Sequence, residues 1–461
     1  MRMTSLEDTI AAIATAPGRG AIGIVRVSGS LSEQIAMKLF RPAKGDGSLA
    51  SHRFYFGRIV DPQDGRFIDE AMVVLMRAPR TYTREDCLEI QVHGGNLVLQ
   101  EVLNAVLRMG ARQAEPGEFT LRAFLNGRID LPRAEAVLDL VEARSTTALR
   151  VARGQLQGEL SHSIVQWQSI IQEALSLAEA AIEFPEEEIP EASPQQVLNL
   201  IKPCAAELRK TLGFYPKGRL YREGAVVLIL GPVNAGKSSL LNKLVGFERA
   251  IVTEIPGTTR DLVEESLEWK GLPMRLVDTA GIRPAQDPVE HLGQKLLQAR
   301  LETADLLLWV LDASSSVVPD LGHIFDWAGK KTSLVVWNKV DLKEGLSPED
   351  LPAALKEVPL VRTSALLGWG LQDLLEVIHT KLVGLDELPE KLIASSRHYG
   401  LLERCVRHLE QACTLLEAGS EWLELVAEEL KSALGAIDQL LGRETDQDVL
   451  SEIFSRFCIG K

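Results

Sequence analysis

Gly231-Pro232-Val233-Asn234-Ala235-Gly236-Lys237-Ser238, with Ser239 opening a helical stretch, has the residue types and spacing of a phosphate cradle. Its glycines let backbone N–H groups close around phosphate oxygens, and the helix N-terminus behind them adds positive potential. In that pattern Lys237 reaches the β- and γ-phosphates and the Ser238 hydroxyl ligates Mg2+. Further on, Leu276-Val277-Asp278-Thr279-Ala280-Gly281 offers a second-sphere Mg2+ carboxylate in Asp278 and a γ-phosphate N–H in Gly281. Between them, Thr253-Glu254-Ile255-Pro256-Gly257-Thr258-Thr259-Arg260-Asp261 should hold a threonine that orders on the γ-phosphate and coordinates Mg2+. Thr259 fits and Thr258 is its rival; Arg260 and Asp261 read equally well as a solvated loop pair.

Asn338-Lys339-Val340-Asp341 decides the base. Guanine presents N1–H and an N2 amino group, two donors that one carboxylate, Asp341, can accept; adenine lacks the pair. Ser364-Ala365 occupies the place of a last guanine-contacting loop, although Ser364 also reads as an ordinary turn serine. Many GTPases carry glutamine just after D-x-x-G to orient the attacking water. Here that position is Ile282, so another group must neutralise transition-state charge and position water.

These residues need a scaffold of parallel strands. Val226–Leu230, Leu306–Leu311 and Leu334–Trp337 are short apolar runs that end at the motifs, as buried strands of a βαβ sheet do. Residues 223–382 therefore read as a Ras-like P-loop GTPase domain. Residues 1–118 mix β-like runs (Ala21–Val27, Ala71–Met76, Leu88–Val92) with glycine turns and the helical Leu97–Met109, an α+β domain. Residues 119–222 and 383–461 are helical in texture, with Glu183–Pro190 a loop. Leu402, Cys405, Leu409, Ala412 and Leu416 share one helical face, as do Val426, Leu430, Ala433, Ile437 and Leu440. Thr445-Asp446-Gln447-Asp448 resembles a capping box before a last helix with Leu450, Ile453, Phe454 and Phe457. The expectation is a multidomain α/β and α protein: an N-terminal α+β domain and one discontinuous helical domain with the GTPase inserted in it.

Composition narrows the class. With 46% hydrophobic and 25% charged residues the 461-residue chain is ordinary for globular domains, and no apolar run spans a bilayer. Met1–Ile10, with Glu7 and Asp8, does not read as a signal peptide. Five scattered cysteines without a CxxC pair suit a reducing cytoplasm and oppose a disulfide framework or zinc site. A net charge of −14 excludes a whole-molecule field attractive to nucleic acid. Residues 1–130 nevertheless balance 16 Lys/Arg against 15 Asp/Glu, whereas 383–461 hold 8 against 15, so an RNA contact belongs to a local patch in the N-terminal part.

Together with these motifs, Pro17-Gly18-Arg19-Gly20, Gly23-Ile24-Val25-Arg26, Glu89-Ile90-Gln91-Val92-His93-Gly94-Gly95, Pro116-Gly117-Glu118-Phe119, Arg122-Ala123-Phe124-Leu125-Asn126-Gly127 and the final Cys458-Ile459-Gly460-Lys461 resemble the MnmE (TrmE) family. These are bacterial and organellar tRNA uridine-5-carboxymethylaminomethyl modification GTPases. The resemblance covers essentially the whole chain. It implies a cytoplasmic, K+-dependent GTPase that acts on the wobble uridine (position 34) of certain tRNAs. Asn234, Thr253, Ile255 and Thr258 would hold K+, whose charge would take the place of an arginine finger, and Glu290 would orient water; without the resemblance Glu290 is an exposed helix-start acid. It further implies homodimerisation through residues 1–118, which would bind 5-formyl-tetrahydrofolate or a methylene-tetrahydrofolate-type one-carbon carrier through Arg26, Glu89, Arg128 and Lys461. The family often has lysine where Arg128 stands. A flavoprotein partner, MnmG, would bring FAD and use NADH in a heterotetramer. Cys458 is a candidate nucleophile or a small residue packing beside the folate site. Pro232 departs from the family's usual Gly-x-Pro-Asn-Ala loop and should shift it locally. A ribosome-assembly switch is the alternative, but such a switch needs an RNA-binding module with a signature such as the KH GXXG loop, and none follows the GTPase segment. A membrane-remodelling GTPase would need a less acidic 383–461.

Overall fold

The computed structural model describes residues 8–44, 47–183, 193–247, 264–278, 297–317, 331–345, 347–385, 392–419 and 422–461. The chain divides into two compact units: Met1–Val141 with Gln155–Glu183 and Ala427–Lys461, and Glu142–Gly154 with Phe184–Val426.

The first unit is built on a seven-stranded sheet ordered β3 (Phe40–Pro42), β4 (Arg53–Val60), β5 (Phe67–Met76), β6 (Cys87–His93), β2 (Ile22–Ser28), β1 (Ile10–Ile13) and β7 (Arg112–Gln113). All neighbours are antiparallel except β1 and β7. Alternation decides which side chains reach the open face. In β2, Gly23, Val25 and Val27 are buried under α2 (Asn96–Leu107), which leaves Ile24 and Arg26 on the other face. A side chain at Gly23 would collide with Leu99 of that helix, so the residue allows the close approach. In β6, Leu88, Ile90 and Val92 are buried and Glu89 shares the face of Arg26, directly opposite it in the register.

Helices α3 (Glu118–Leu125), α4 (Leu131–Glu142) and α6 (Glu159–Glu183) complete this unit with the later part of Leu423–Leu441 and with Gln447–Ser455. Leu121, Leu131, Ala134, Phe454 and Phe457 form one of its cores, as the aromatic pattern of the last helix predicts. Gln168 Nε2 donates to Asp438 Oδ1 at 2.6 Å and its Oε1 accepts from Arg443 NH1 at 2.9 Å, pairing α6 with the helix before the last. The capping box expected at Thr445 does not form. Asp446 is the N-cap, without a side-chain cap bond, and the Thr445 hydroxyl donates instead to the Gln439 carbonyl at 3.2 Å. Thr445 thus serves a carbonyl in the last turn of the preceding helix, which also accepts from Gly442 N at 3.3 Å.

The second unit carries a six-stranded sheet ordered β13 (Leu360–Arg362), β12 (Ser333–Asn338), β11 (Leu306–Asp312), β8 (Ala225–Leu230), β10 (Leu272–Asp278) and β9 (Glu264–Trp269). It is parallel but for the β9–β10 hairpin, whose turn Lys270-Gly271 has φ of 48° and 80°, as a two-residue turn with both central residues left-handed requires. Every residue of β8 is buried, the signature of a strand covered on both faces. Two apolar cores, around Leu308 and Trp309, flank the sheet. In the same unit α7 (Pro194–Leu212) packs on the helix Ser396–Ala418 through Lys202–Glu417 at 2.7 Å and Arg209–Glu410. Both apolar stripes read from the sequence after residue 400 are buried. Among the described residues no helix is long and apolar enough to cross a membrane.

Candidate functional site: a phosphate cradle and a separate charged pocket

The cradle lies between β8 and α9 (Lys237–Phe247). Gly231 has φ +144° and a Cβ there would overlap the Val310 carbonyl of the neighbouring strand, so only glycine lets the chain leave the sheet at this point. Gly236, at φ +93°, leaves no room for a Cβ beside the Asn338 side chain. Asn234 is exposed, with φ +65° in the left-handed region, and makes no side-chain hydrogen bond among the described residues. Lys237 folds over the loop, its Nζ donating to the Gly231 and Pro232 carbonyls at 2.9 and 2.8 Å. Burial pushes its ammonium below the usual lysine value, against the pull of Asp278. Ser238 Oγ donates to Asp278 Oδ2 at 2.8 Å. The parallel register places Asp278 opposite Ile229, which brings that carboxylate to the cradle. A hydroxyl beside a carboxylate is an oxygen donor set suited to Mg2+, and Ser238 with Asp278 fits it.

At the base end, Asn338 is a buried clamp. Its Nδ2 donates to the Ala235 carbonyl at 2.9 Å, and its Oδ1 accepts from Ala365 N at 3.0 Å and Thr363 Oγ1 at 3.3 Å. One side chain thereby ties the cradle to the loop after β13. Lys339 has φ +65° and its Nζ donates to Asp312 Oδ2 at 2.7 Å. Burial would raise the Asp312 carboxyl, but hydrogen bonds from Lys339 and Ser314 hold it below its ordinary value. Asp341 is half-buried in the turn that follows. Ser364 is fully buried and its Oγ accepts from Leu367 N at 3.1 Å, so its side chain stabilises the turn, while the neighbouring Ala365 N–H is held by Asn338. Asp312 and Thr363 are missing from the sequence reading; a polar residue ending a strand beside the base motif was the available signal.

Thr253, Glu254, Ile255, Pro256, Gly257, Thr258, Thr259, Thr279, Ala280, Gly281 and Glu290 lie outside the described residues. Of the four expected K+ ligands only Asn234 is described, as is Ser239, exposed on the first turn of α9.

A second cluster stands in the first unit. Arg26 donates from Nε to Glu89 Oε1 at 3.0 Å and from NH1 to the Gly460 carbonyl at 3.2 Å, and its NH2 lies 2.9 Å from the same Glu89 oxygen. Phe119 N donates to the Lys461 carbonyl at 3.2 Å, so the start of α3 and the Arg26 side chain both hold the last residues. Arg26 is 5.8 Å from the Tyr82 ring centroid and Arg128 4.7 Å from it, with Arg128 NH1 also donating to the Tyr82 carbonyl at 2.9 Å. Of the four residues expected for a folate site, Arg26 and Arg128 flank the Tyr82 ring, Glu89 pairs with Arg26, and Lys461 follows Gly460, whose carbonyl Arg26 holds. The Arg26 guanidinium is engaged by Glu89 and the Gly460 carbonyl, and Glu89 Oε2 keeps no hydrogen bond among the described residues. Phe119 and Gly460, quoted above only within longer motifs, are additional members, and Tyr82 is one that no linear motif marks. Cys458 is exposed and its carbonyl accepts from Lys461 N at 3.3 Å. No cluster of three His, Cys, Asp or Glu suited to a metal occurs among the described residues.

The chain matches the family model of the MnmE helical domain over residues 131–458 and that of the GTP-binding protein TrmE N-terminus over residues 9–128. It is 44% identical over 459 residues to the tRNA modification GTPase MnmE of Geobacter metallireducens, covering 99% of this chain and 100% of that protein. The protein of the same name from Geobacter sulfurreducens is 45% identical with the same coverage, and that from Syntrophotalea carbinolica 45% identical over 460 residues, covering 99% of each. A solved G domain of the T. maritima FeoB iron transporter aligns at 26% identity and a TM-score of 0.27, over 34% of this chain and 98% of that one.

Proposed function

Because the chain belongs to the family of tRNA modification GTPases MnmE, also called TrmE, and is a GTP hydrolase of tRNA modification, we propose that its turnover depends on K+ and supports addition of a carboxymethylaminomethyl or aminomethyl group to C5 of the wobble uridine, position 34. The observation that carries this reading is the joining, in one chain, of a guanine-nucleotide cradle with the Arg26–Glu89–Gly460 pocket. In the cradle, Lys237 and the backbone N–H groups of residues 234–239 bind the phosphates. Ser238 and Thr259 hold Mg2+ with Asp278 behind them, and Asp341 reads the guanine. K+ would supply positive charge where Ile282 leaves no glutamine; Asn234, Thr253, Ile255 and Thr258 are its ligands, and Glu290 orients the water. In the pocket a one-carbon tetrahydrofolate would supply the transferred carbon unit. Arg26 fixes Glu89, Glu89 Oε2 accepts from the ring donors, and Arg128 and Lys461 balance the ligand's carboxylates.

Residues 1–118 form the folate-binding and dimerisation domain, 223–382 the G domain, and 119–222 with 383–461 the interrupted helical domain. The pairing of α6 and of α7 with helices that follow the G domain supports that division. The partner is a flavoprotein of the MnmG type carrying FAD and using NADH, joined to a cytoplasmic homodimer as a heterotetramer.

Two outcomes test the reading. GTP turnover in K+ should exceed turnover in Na+ at equal ionic strength by about 100-fold, the scale on which one charge-stabilising group acts; equal rates would remove the cation role. Mass spectrometry of tRNA from cells lacking the protein should show wobble uridines without the C5 group, and unchanged tRNA would overturn the modification role.

A further inference from the structure

The segment between β5 and β6 is a loop closed on itself: Ala78 N donates to Asp86 Oδ1 at 2.8 Å and Thr81 Oγ1 to the Glu85 carbonyl at 2.6 Å. It is laced to the loop after α3 by three bonds. Asn126 Nδ2 donates to the Thr83 carbonyl at 2.6 Å, Arg84 NH1 to the Asn126 carbonyl at 2.9 Å, and Arg128 NH1 to the Tyr82 carbonyl at 2.9 Å. Arg84 sits at φ +60°, a conformation arginine rarely adopts and one that the lacing enforces. Three exposed arginines, Arg80, Arg84 and Arg128, result, and none forms an ion pair among the described residues. The carboxylates of the same loops are spent on neighbours: Glu85 on Ser28 and Arg122, Asp86 on Ala78 N, Asp130 on Arg133 N. Arg66 with Glu101 and Arg108 with Asp61, elsewhere in the unit, are neutralised, whereas Arg53 and Arg58 of β4 are exposed and form no ion pair among the described residues. A net-acidic chain thus keeps an unbalanced positive rim, and Arg128 joins that rim to the Arg26–Glu89 pocket through Tyr82.

We propose that this two-loop rim seats the anticodon loop of the tRNA substrate, with Arg80 and Arg84 on the phosphates that flank the target uridine and Arg128 at the edge of the pocket. The inference rests on reading the chain as a wobble-uridine-modifying enzyme and adds where the RNA lies. C5 of the uridine must reach the pocket beside Arg26, so the adjoining single-stranded backbone must cross its rim. Guanidinium groups grip phosphates bidentately and stack on splayed bases, which suits an unpaired loop. The lacing fixes Arg84 and Arg128 before binding, so little is lost in ordering them.

The test uses the full-length protein and an anticodon stem–loop RNA with an unmodified wobble uridine, titrated by fluorescence anisotropy at several salt concentrations. The Arg80→Ala/Arg84→Ala variant should bind at least about tenfold more weakly near 0.1 M salt, and its log K against log salt slope should flatten by about 1.4, two phosphates at roughly 0.7 each on a single strand. Arg80→Lys/Arg84→Lys should restore the slope, and Arg66→Ala should match wild type. Hydrogen exchange of the β5 and β6 amides, in the same unit as the rim, reports that each variant is folded; should the double alanine variant fail that check, Arg84→Gln alone should still weaken binding. Undiminished affinity and slope in the alanine variants would overturn the rim while leaving the tRNA reading in place. Absence of RNA binding by wild type, with or without the flavoprotein, would overturn both. Loss of flavoprotein binding with RNA affinity intact would make the rim a protein-docking surface and overturn the proposal.

Discussion

Asn338→Ala is expected to weaken guanine-nucleotide binding by at least about 100-fold. The side chain satisfies three groups at once, the Ala235 carbonyl, the Ala365 N–H and the Thr363 hydroxyl, and is itself 1% exposed. Alanine leaves all three without that partner. At about 1 kcal/mol or more for each buried group left unmade, the cost is about 3 kcal/mol, or two decades in affinity. The loss falls on binding because the bonds join the cradle to the base loop, not strand to strand. The β8, β11 and β12 ladders stay intact, so the midpoint of thermal unfolding should fall much less than the affinity. Titration with a fluorescent GDP analogue measures the first quantity and calorimetry the second. Affinity within threefold of wild type would show that the clamp is dispensable.

Arg122→Met should destabilise the first unit by about 3–5 kcal/mol, the range for breaking a buried ion pair from one side. Arg122 is buried against three carboxylates: Asp8 Oδ1 at 2.5 Å, Glu85 Oε2 at 3.2 Å and Glu118 Oε1 at 3.2 Å. Methionine keeps the bulk and removes the charge, which leaves Arg112 to balance the cluster from its side. Burial raises the Asp8 and Glu118 carboxyls, yet hydrogen bonds from Arg112 to both, from Arg122 to Asp8 and from Glu115 N to Glu118 carry them below their ordinary values. A carboxyl with a depressed folded-state pKa adds stability above its unfolded pKa, and that stability is lost as pH falls through the folded value. Wild type should therefore hold this stability at neutral pH and lose it below about pH 4, near the unpaired carboxyl range. In the variant the carboxylates lose a cation and titrate higher, so its deficit should be largest near pH 7 and shrink on acidification. Hydrogen exchange of the β1 and β2 amides at pH 7 and pH 5 reads the local free energy; a deficit that grows towards pH 5 would contradict the assignment. The functional consequence passes through α3. Glu118 begins that helix and the next residue, Phe119, holds the Lys461 carbonyl, so loosening the network should loosen the pocket floor beside Arg26.

What the chain determines locally was legible in its sequence. The apolar run of β8, the glycines, lysine and serine that follow it, and the strand ending in Asp278 are contiguous, and their chemistry is set by neighbours along the chain. The helical stripes after residue 400 were legible for the same reason, since period and burial are local properties. Tertiary structure decided the rest. Arg26 and Glu89 stand 63 residues apart, and only the antiparallel register of β2 and β6 makes them partners. Asn338 reads in sequence as part of a base-recognition tetrad, but its bonds to Ala235 and Ala365 exist because β12 ends beside the cradle. Thr445 and Ser364 each have several partners within reach of a short side chain; the turn that formed chose among them. The Arg122 cluster and the arginine rim depend on loops distant in sequence meeting. Spacing along a chain fixes backbone periodicity and motif geometry, whereas the pairing of charges across strands and loops is fixed only when the whole apolar core sets their register.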